Sequence, residues 1–173
     1  MKQSLGLIQV YTGDGKGKTT AALGLSLRAA GQGMKVLFIQ FIKGRHTCGE
    51  HLFTAQYHPF DIIQPNTKDS FNETLEELRP TTEQTLSLAE KAILSGDYDM
   101  VILDEILVAA NMGIISTAQI LELLSKKPAK MELILTGRGA SQEIIKQADL
   151  VTEMVAVKHP FPRGIAARRG IEY

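Results

Sequence analysis

The stretch "YTGDGKGKTTAA", Tyr11 to Ala22, concentrates residue types that hold phosphate. Gly13, Gly15 and Gly17 let the backbone turn tightly and aim successive N–H groups inward. Lys18 offers a point charge to phosphate oxygens, and the Thr19 hydroxyl is an oxygen ligand suited to Mg²⁺. The spacing departs from the usual G-x-x-x-x-G-K-[ST] pattern, because Thr12 stands where the first glycine belongs and the nearest glycine is Gly13. An arch shortened in this way is expected to hold its anion differently, with a whole triphosphate as the group retained. A second segment, "YDMVILDEI", is an apolar run ending in Asp104-Glu105. It carries two carboxylates to the carboxyl edge of a sheet, where one can hold a metal or its waters and the other can position a nucleophile. Alone, an Asp after a strand also reads as a helix cap. Beside the glycine loop, the pair reads as the other half of a Mg·ATP site. Hydrolysis, phosphoryl transfer and other uses of ATP are not separated by these two segments.

The elements that position them follow from periodicity. Strands are expected at residues 7–11, 36–39, 100–103, 133–135 and 151–157, and helices at 18–30, 81–94, 117–124 and 141–147. Gly31 and Gly33 stop the first helix and Gly96 the second. Strands alternating with helices predict an α/β chain with a mostly parallel sheet and helices on both faces, a three-layer P-loop (RecA-like) fold. Residues 44–79, with Pro59 and Pro65 and few sustained apolar periods, read as a long functional loop with short elements. No linker or repeat divides residues 1–173, so a single nucleotide-binding domain is expected.

Composition narrows the setting. The 173 residues carry 19 Lys plus Arg against 19 Asp plus Glu, a balance that offers no global field for nucleic acid or an anionic membrane. The single cysteine, Cys48, excludes an internal disulfide and fits a reducing compartment. No apolar run approaches the roughly 20 residues needed to cross a bilayer. The first residues read as a strand rather than a signal peptide, so a cytoplasmic location is expected.

The chain resembles the ATP:corrinoid adenosyltransferases of the P-loop type. The resemblance runs from "YTGDGKGKTTAALGLSLRAAGQG" through "VLFIQFIKG" and "GDYDMVILDEILVAANMG" to "LILTGRGASQEIIKQADLVTEM" and "VKHPFPRGIAARRGIEY". In that family the shifted loop is normal. The resemblance implies that ATP lies reversed, so that a Co(I) corrinoid, cob(I)alamin or cob(I)yrinic acid a,c-diamide, attacks the ribose C5′ and tripolyphosphate leaves. It assigns the triphosphate to Gly13, Asp14, Gly15, Lys16, Gly17, Lys18, Thr19 and Thr20. It assigns Mg²⁺, or Mn²⁺, to Thr19 and Glu105 with Asp104 beside or behind, and further phosphate charge to Arg138. Lys18, Glu105 and Arg138 are thereby the expected catalytic groups. The resemblance also implies a homodimer and an electron donor such as a reduced flavoprotein. A P-loop ATPase or kinase-like paralogue, or a non-catalytic ATP-binding module, is the alternative.

The middle of the chain departs from the family pattern. The family carries a tryptophan soon after the KG of "FIKG" and an aromatic GFTW-like stretch before the central helix. Here "KGRHTCGEH" and "PFDIIQPNTKDSFNE" stand instead, and there is no tryptophan. Phe60 and Phe71 are the candidate stand-ins on the corrinoid side, within 44–79. His46, Cys48, His51 and His58 match none of the common zinc spacings and are expected as solvated loop residues. His159 reads as a turn residue before Pro160. The basic segment 158–173, with Lys158, Arg163, Arg168 and Arg169, reads either as a solvated tail or as a flap supplying charge to phosphate or corrinoid. Glu73, Glu76 and Glu77 read as the polar side of a helix end. Phe60→Ala and Phe71→Ala, made separately, are expected to impair cob(II)alamin reduction more than ATP binding; loss in neither variant would exclude both as corrinoid contacts.

Overall fold

The computed structural model describes residues 5–44, 48–66 and 73–173. Its sheet contains six strands, all parallel, in the order β3-β2-β4-β5-β1-β6. The strands are β1 (Ile8–Thr12), β2 (Val36–Gln40), β3 (Asp61–Ile63), β4 (Met100–Asp104), β5 (Glu132–Thr136) and β6 (Leu150–Glu153). Around them run α1 (Lys18–Gly31), α2 (Gly49–Tyr57), α3 (Leu75–Ser95), α4 (Ile106–Asn111), α5 (Thr117–Ser125) and α6 (Gln142–Gln147). A short 3-10 turn follows at Phe161–Arg163.

β2 and β4 are buried along their whole length, because a parallel strand covered on both faces leaves no position for water. Their side chains divide between two apolar layers. Leu37, Ile39, Val101 and Leu103 join β1 and β5 residues against the apolar sides of α3, α4, α5 and α6. Phe38, Met100, Ile102 and Ile134 pack under Ala22 and Ala29 of α1. Each such large side chain contributes about 1.5–3 kcal/mol when fully buried. Small residues on α1 bring that helix close to the sheet and fix the loop that precedes it.

The four inner strands share an unusual ending. Thr12 of β1, Gln40 of β2, Asp104 of β4 and Thr136 of β5 are all buried, the last three with at most 1% exposure. In register, Gln40 lies beside Asp104, and Tyr11, next to Thr12, lies beside Thr136. The apolar sheet therefore finishes in a polar row at its carboxyl edge.

Several elements differ from the sequence expectation. α3 begins at Leu75 rather than after Pro80, because Thr74 and Glu77 form a capping box and Leu78 is buried, which outweighs the missing proline N–H. Within 44–79 the described residues form α2, β3 and the start of α3. The last strand stops at Glu153 instead of running to Val157: Met154 donates its N–H to Thr12 O and accepts the Gly15 N–H, which bends the chain onto the glycine loop. α4 was not anticipated; six residues are too few to show a helical period. No described helix is long and apolar enough to cross a membrane.

Gly137 turns the chain out of β5 with a φ of 140°, and an added Cβ would lie 2.7 Å from the Leu107 Cβ and 2.8 Å from the Val108 N. Gly137→Ala is expected to lower stability by about 2 kcal/mol or more, through strain and a backbone clash that cannot relax. An unchanged urea midpoint would contradict this packing.

Candidate functional site

The glycine loop lies between β1 and α1, directly above the polar row. Gly13 and Gly17 have φ of 93° and 118°, in the region that favours glycine. A Cβ on Gly15 would sit 2.6 Å from the Met154 carbonyl oxygen, so close approach also requires glycine there. Lys18 curls back and donates to the carbonyls of Gly13 and Gly15, at 2.6 Å each. Its pKa is lowered, first by burial and then by the nearby Arg138 cation. Thr20 is exposed on the cavity side of α1.

Asp104 is fully buried, and its carboxylate organises the row beneath the loop. Oδ1 accepts from the Thr19 hydroxyl at 2.9 Å and from the Thr136 hydroxyl at 2.7 Å. Oδ2 accepts from the Gln40 amide at 3.4 Å and faces the Lys43 ammonium at 4.0 Å. Thr136 in turn accepts the Glu105 N–H at 2.9 Å. Glu105 has a φ of 64°, a left-handed conformation costing a non-glycine residue roughly 1–2 kcal/mol. The Thr136 bond and the helix bonds from Val108 and Ala109 to the Glu105 carbonyl hold it there. Both adjacent carboxyls are pushed up. Burial pushes the Asp104 carboxyl up, against Lys43 and the Thr136, Thr19 and Gln40 hydrogen bonds. Glu105 is pushed up to about 7 by burial and by Asp104, against Lys43 and Lys18.

Lys18, Thr19, Lys43, Glu105 and Thr136 face a cavity of about 780 Å³. Its polar end comprises residues 14–20 with Glu105, Thr136 and Arg138; its apolar wall includes Leu23, Leu27, Phe53, Phe60 and Phe161. Arg138 and Asp14 are exposed, 3.7 Å apart, a pairing worth little by itself. Lys16 is held by the C-terminal segment, 2.7 Å from Glu172 and 3.1 Å from the Ile171 carbonyl.

Residues 14–20, Glu105 and Arg138 thus line one cavity, with Asp104 bonded to Thr19 and the Gly13 carbonyl bonded to Lys18. The C-terminal segment also reaches this cavity, though not with the four basic side chains that the flap reading would use. Phe161, Ile165, Ile171 and Tyr173 line it, whereas Lys158, Arg163, Arg168 and Arg169 do not, and Arg168 pairs with Glu172. His159 accepts the Phe161 N–H at 3.2 Å, as a turn residue does. Phe60 lines the cavity; Phe71, like His46, lies outside the described residues. His51 corrects the expectation of a solvated loop histidine. It sits in the first turn of α2, bonded to buried Gln40 at 2.7 Å. Cys48 is buried at the start of the same helix, and His58 ends it with a φ of 47°. Among the described residues no three His, Cys, Asp or Glu side chains form a metal cluster.

Four participants were missed by sequence reasoning: Gln40, Lys43, Glu50 and Phe53. Lys43 lies 3.1 Å from Glu50, and the two lean on each other inside the cavity wall. Burial opposes the charge on each, yet the Asp104 and Glu50 carboxylates raise Lys43, and Lys43 lowers Glu50. The only sequence signal was position: Gln40 ends an apolar run as Asp104 does.

Comparison with known proteins gives a match over residues 4–173 to the family described as ATP:corrinoid adenosyltransferase BtuR/CobO/CobP. A corrinoid adenosyltransferase of Pseudomonas aeruginosa is 36% identical over 171 residues, 97% of this chain and 84% of that protein. One from a Sinorhizobium species is 39% identical over 173 residues, covering 97% and 80%. The corrinoid adenosyltransferase CobA of Salmonella typhimurium is 32% identical over 176 residues, covering 99% and 88%.

In the metal-free protein, folded Glu105 holds its proton more tightly than the unfolded chain, whose reference value is 4.5. Its stabilising contribution is therefore full below that value and is lost as pH rises through about 7. Glu105→Gln in the presence of a chelator is expected to flatten this fall and to exceed the parent at about pH 8, by on the order of 1–3 kcal/mol in urea denaturation. Parallel pH profiles would show that Glu105 is not buried against Asp104 as described.

Proposed function

The chain belongs to the ATP:corrinoid adenosyltransferase family, and from that premise we propose how its own residues carry the transfer of the 5′-deoxyadenosyl group of ATP to the Co(I) of a corrinoid. The observation that carries this reading is the family match across residues 4–173. The glycine loop is read as a P-loop with a shortened arch, within a single RecA-like domain. Its N–H groups from Gly13 to Gly17, with the N-terminus of α1 behind them, bind the triphosphate. Lys18 leaves the Gly13 and Gly15 carbonyls and turns its ammonium to phosphate oxygens; Lys16 and Arg138 add charge at the open side.

The donor set fits a hard divalent cation. Thr19, Asp104 and Glu105 offer oxygen alone, which suits Mg²⁺ or Mn²⁺, and the lack of a three-acid cluster among the described residues is ordinary for an ion that shares its shell with phosphates and water. Once bound, such an ion neutralises charge on the leaving triphosphate. Glu105 is the ligand proposed to reach it directly. Asp104, already engaged by Thr19, Thr136 and Gln40, holds the Thr19 hydroxyl in place.

In the reaction, the cobalt electron pair forms a bond to C5′ while the C5′–O bond breaks, and its electrons leave with tripolyphosphate. Co(I) is a strong nucleophile, so no general base is required of the protein. The protein's task is alignment and stabilisation of charge on the departing group. The apolar wall at Leu27, Phe53 and Phe60 is the side proposed for the corrinoid, and Phe53 joins Phe60 as a candidate for the missing family aromatics. A homodimer, a reduced flavoprotein as electron donor and a cytoplasmic setting complete the reading.

Anaerobic incubation with Mg·ATP and chemically reduced cobalamin is expected to yield a photolabile alkylcobalt spectrum and tripolyphosphate in equal amounts. ADP and phosphate would favour an ATPase or kinase instead, and ATP binding without turnover a non-catalytic module. Lys18→Ala is expected to lower kcat/KM by roughly 10²–10³-fold; unchanged kinetics would remove Lys18 from the site.

A further inference from the structure

Gln40 ends β2 with no exposed surface, and its amide has two different ends. Its Nε2 lies 3.4 Å from Asp104 Oδ2 and 3.3 Å from Glu50 Oε1, both carboxylate acceptors. Its Oε1 lies 2.7 Å from Nε2 of His51. Turned over, the amide would place its carbonyl against two carboxylates, so the NH2 must face them and the carbonyl must face the imidazole. A carbonyl only accepts, and His51 Nε2 therefore carries the proton. The other ring nitrogen, Nδ1, then accepts the Cys48 N–H at 3.3 Å. A single tautomer of neutral His51 satisfies every contact, and the chain of bonds has one direction, from the first turn of α2 through Gln40 to Asp104.

We propose that His51, acting through Gln40, is a positioning residue for the metal–triphosphate site, locking the amide with its donors toward Asp104 and so keeping Asp104 Oδ1 on the Thr19 hydroxyl. Without His51 the Gln40 carbonyl loses its donor, and the amide is anchored only at its NH2 end, by bonds of 3.3 and 3.4 Å that are easily lost. Asp104 Oδ2 then keeps only the Lys43 ammonium at 4.0 Å, which is itself drawn to Glu50 at 3.1 Å. The carboxylate can turn, and the Thr19 hydroxyl loses its fixed aim. The relay also explains why α2 is tied to the sheet edge here: Glu50 and Phe53, on either side of His51, both line the cavity. The inference rests on the reading that Thr19, Asp104 and Glu105 hold the divalent ion, and its test separates the two.

The readout is the gain in ATP affinity that Mg²⁺ confers, measured by calorimetry as the ratio of dissociation constants in chelator and in Mg²⁺. His51→Ala and Gln40→Met are each expected to cut this gain about tenfold, as for loss of a hydrogen bond to a charged group. Because the residues act in series, the double variant should lose no more than either single one. His51→Gln, which can donate to the same carbonyl, should recover most of the gain. If His51→Ala does not fold, Gln40→Met decides the matter, since it leaves the first turn of α2 intact. Effects that multiply in the double variant, or a gain kept in full by Gln40→Met, would overturn the relay alone. A parent protein whose ATP affinity does not respond to Mg²⁺ would overturn the metal reading and the relay together. In proton–nitrogen spectra of the parent, His51 should appear as the Nε2–H tautomer; the Nδ1–H tautomer would equally overturn the relay.

Discussion

A carboxylate with no exposed surface, Asp104, sets the geometry of everything above it. A buried charge is costly unless it is paired and hydrogen-bonded, and here the partners come from three other elements: Thr19 of α1, Thr136 of β5 and Gln40 of β2. Satisfying one group therefore locks the start of α1 to the ends of three adjacent strands. The glycine loop, whose last residue caps that helix, inherits its position from this bond. Glu105 follows, in a left-handed conformation held by the Thr136 hydroxyl and by the first helix bonds of α4. Strain at a carboxylate facing a cavity is the kind of cost that a site keeps because the surrounding contacts over-determine it.

The cavity joins two surfaces of opposite character. One end is built of backbone amides, lysines and carboxylates; the other is built of Leu23, Leu27, Phe53, Phe60 and Phe161. That division suits a reaction in which a highly charged group departs from one side while a large, mostly apolar macrocycle approaches from the other. It is less suited to hydrolysis, which needs a positioned water at the terminal phosphate. The C-terminal segment belongs to this arrangement. It turns apolar side chains to the cavity and spends Glu172 on Lys16 and Arg168, so its basic residues remain outside.

Most of the sheet was legible because buried parallel strands write themselves as unbroken apolar runs, and β2 and β4 are such runs. The glycine loop was legible as a tight turn because its backbone requires glycine at positions 13, 15 and 17, by positive φ or by close approach. What could not be read depends on contacts distant in sequence. Nothing near Pro80 announces that burial of Leu78 will carry the helix through it. Nothing near Met154 announces that its carbonyl will meet Gly15. His51 looked like a loop histidine because its partner, Gln40, lies eleven residues away on a strand that shows only apolar character. The basic tail stayed open between two readings for a related reason: charge is visible in a sequence, but the direction in which a side chain points is not.

The direction in which ATP lies on the glycine loop decides between adenosyl transfer and phosphoryl chemistry. A crystal structure of the protein with Mg²⁺ and ATP measures it directly. The predicted result is a triphosphate held by residues 13–20, with the ribose C5′ turned toward Phe53 and Phe60. A nucleotide lying the other way, its terminal phosphate beside Glu105 and facing a water, would contradict the account.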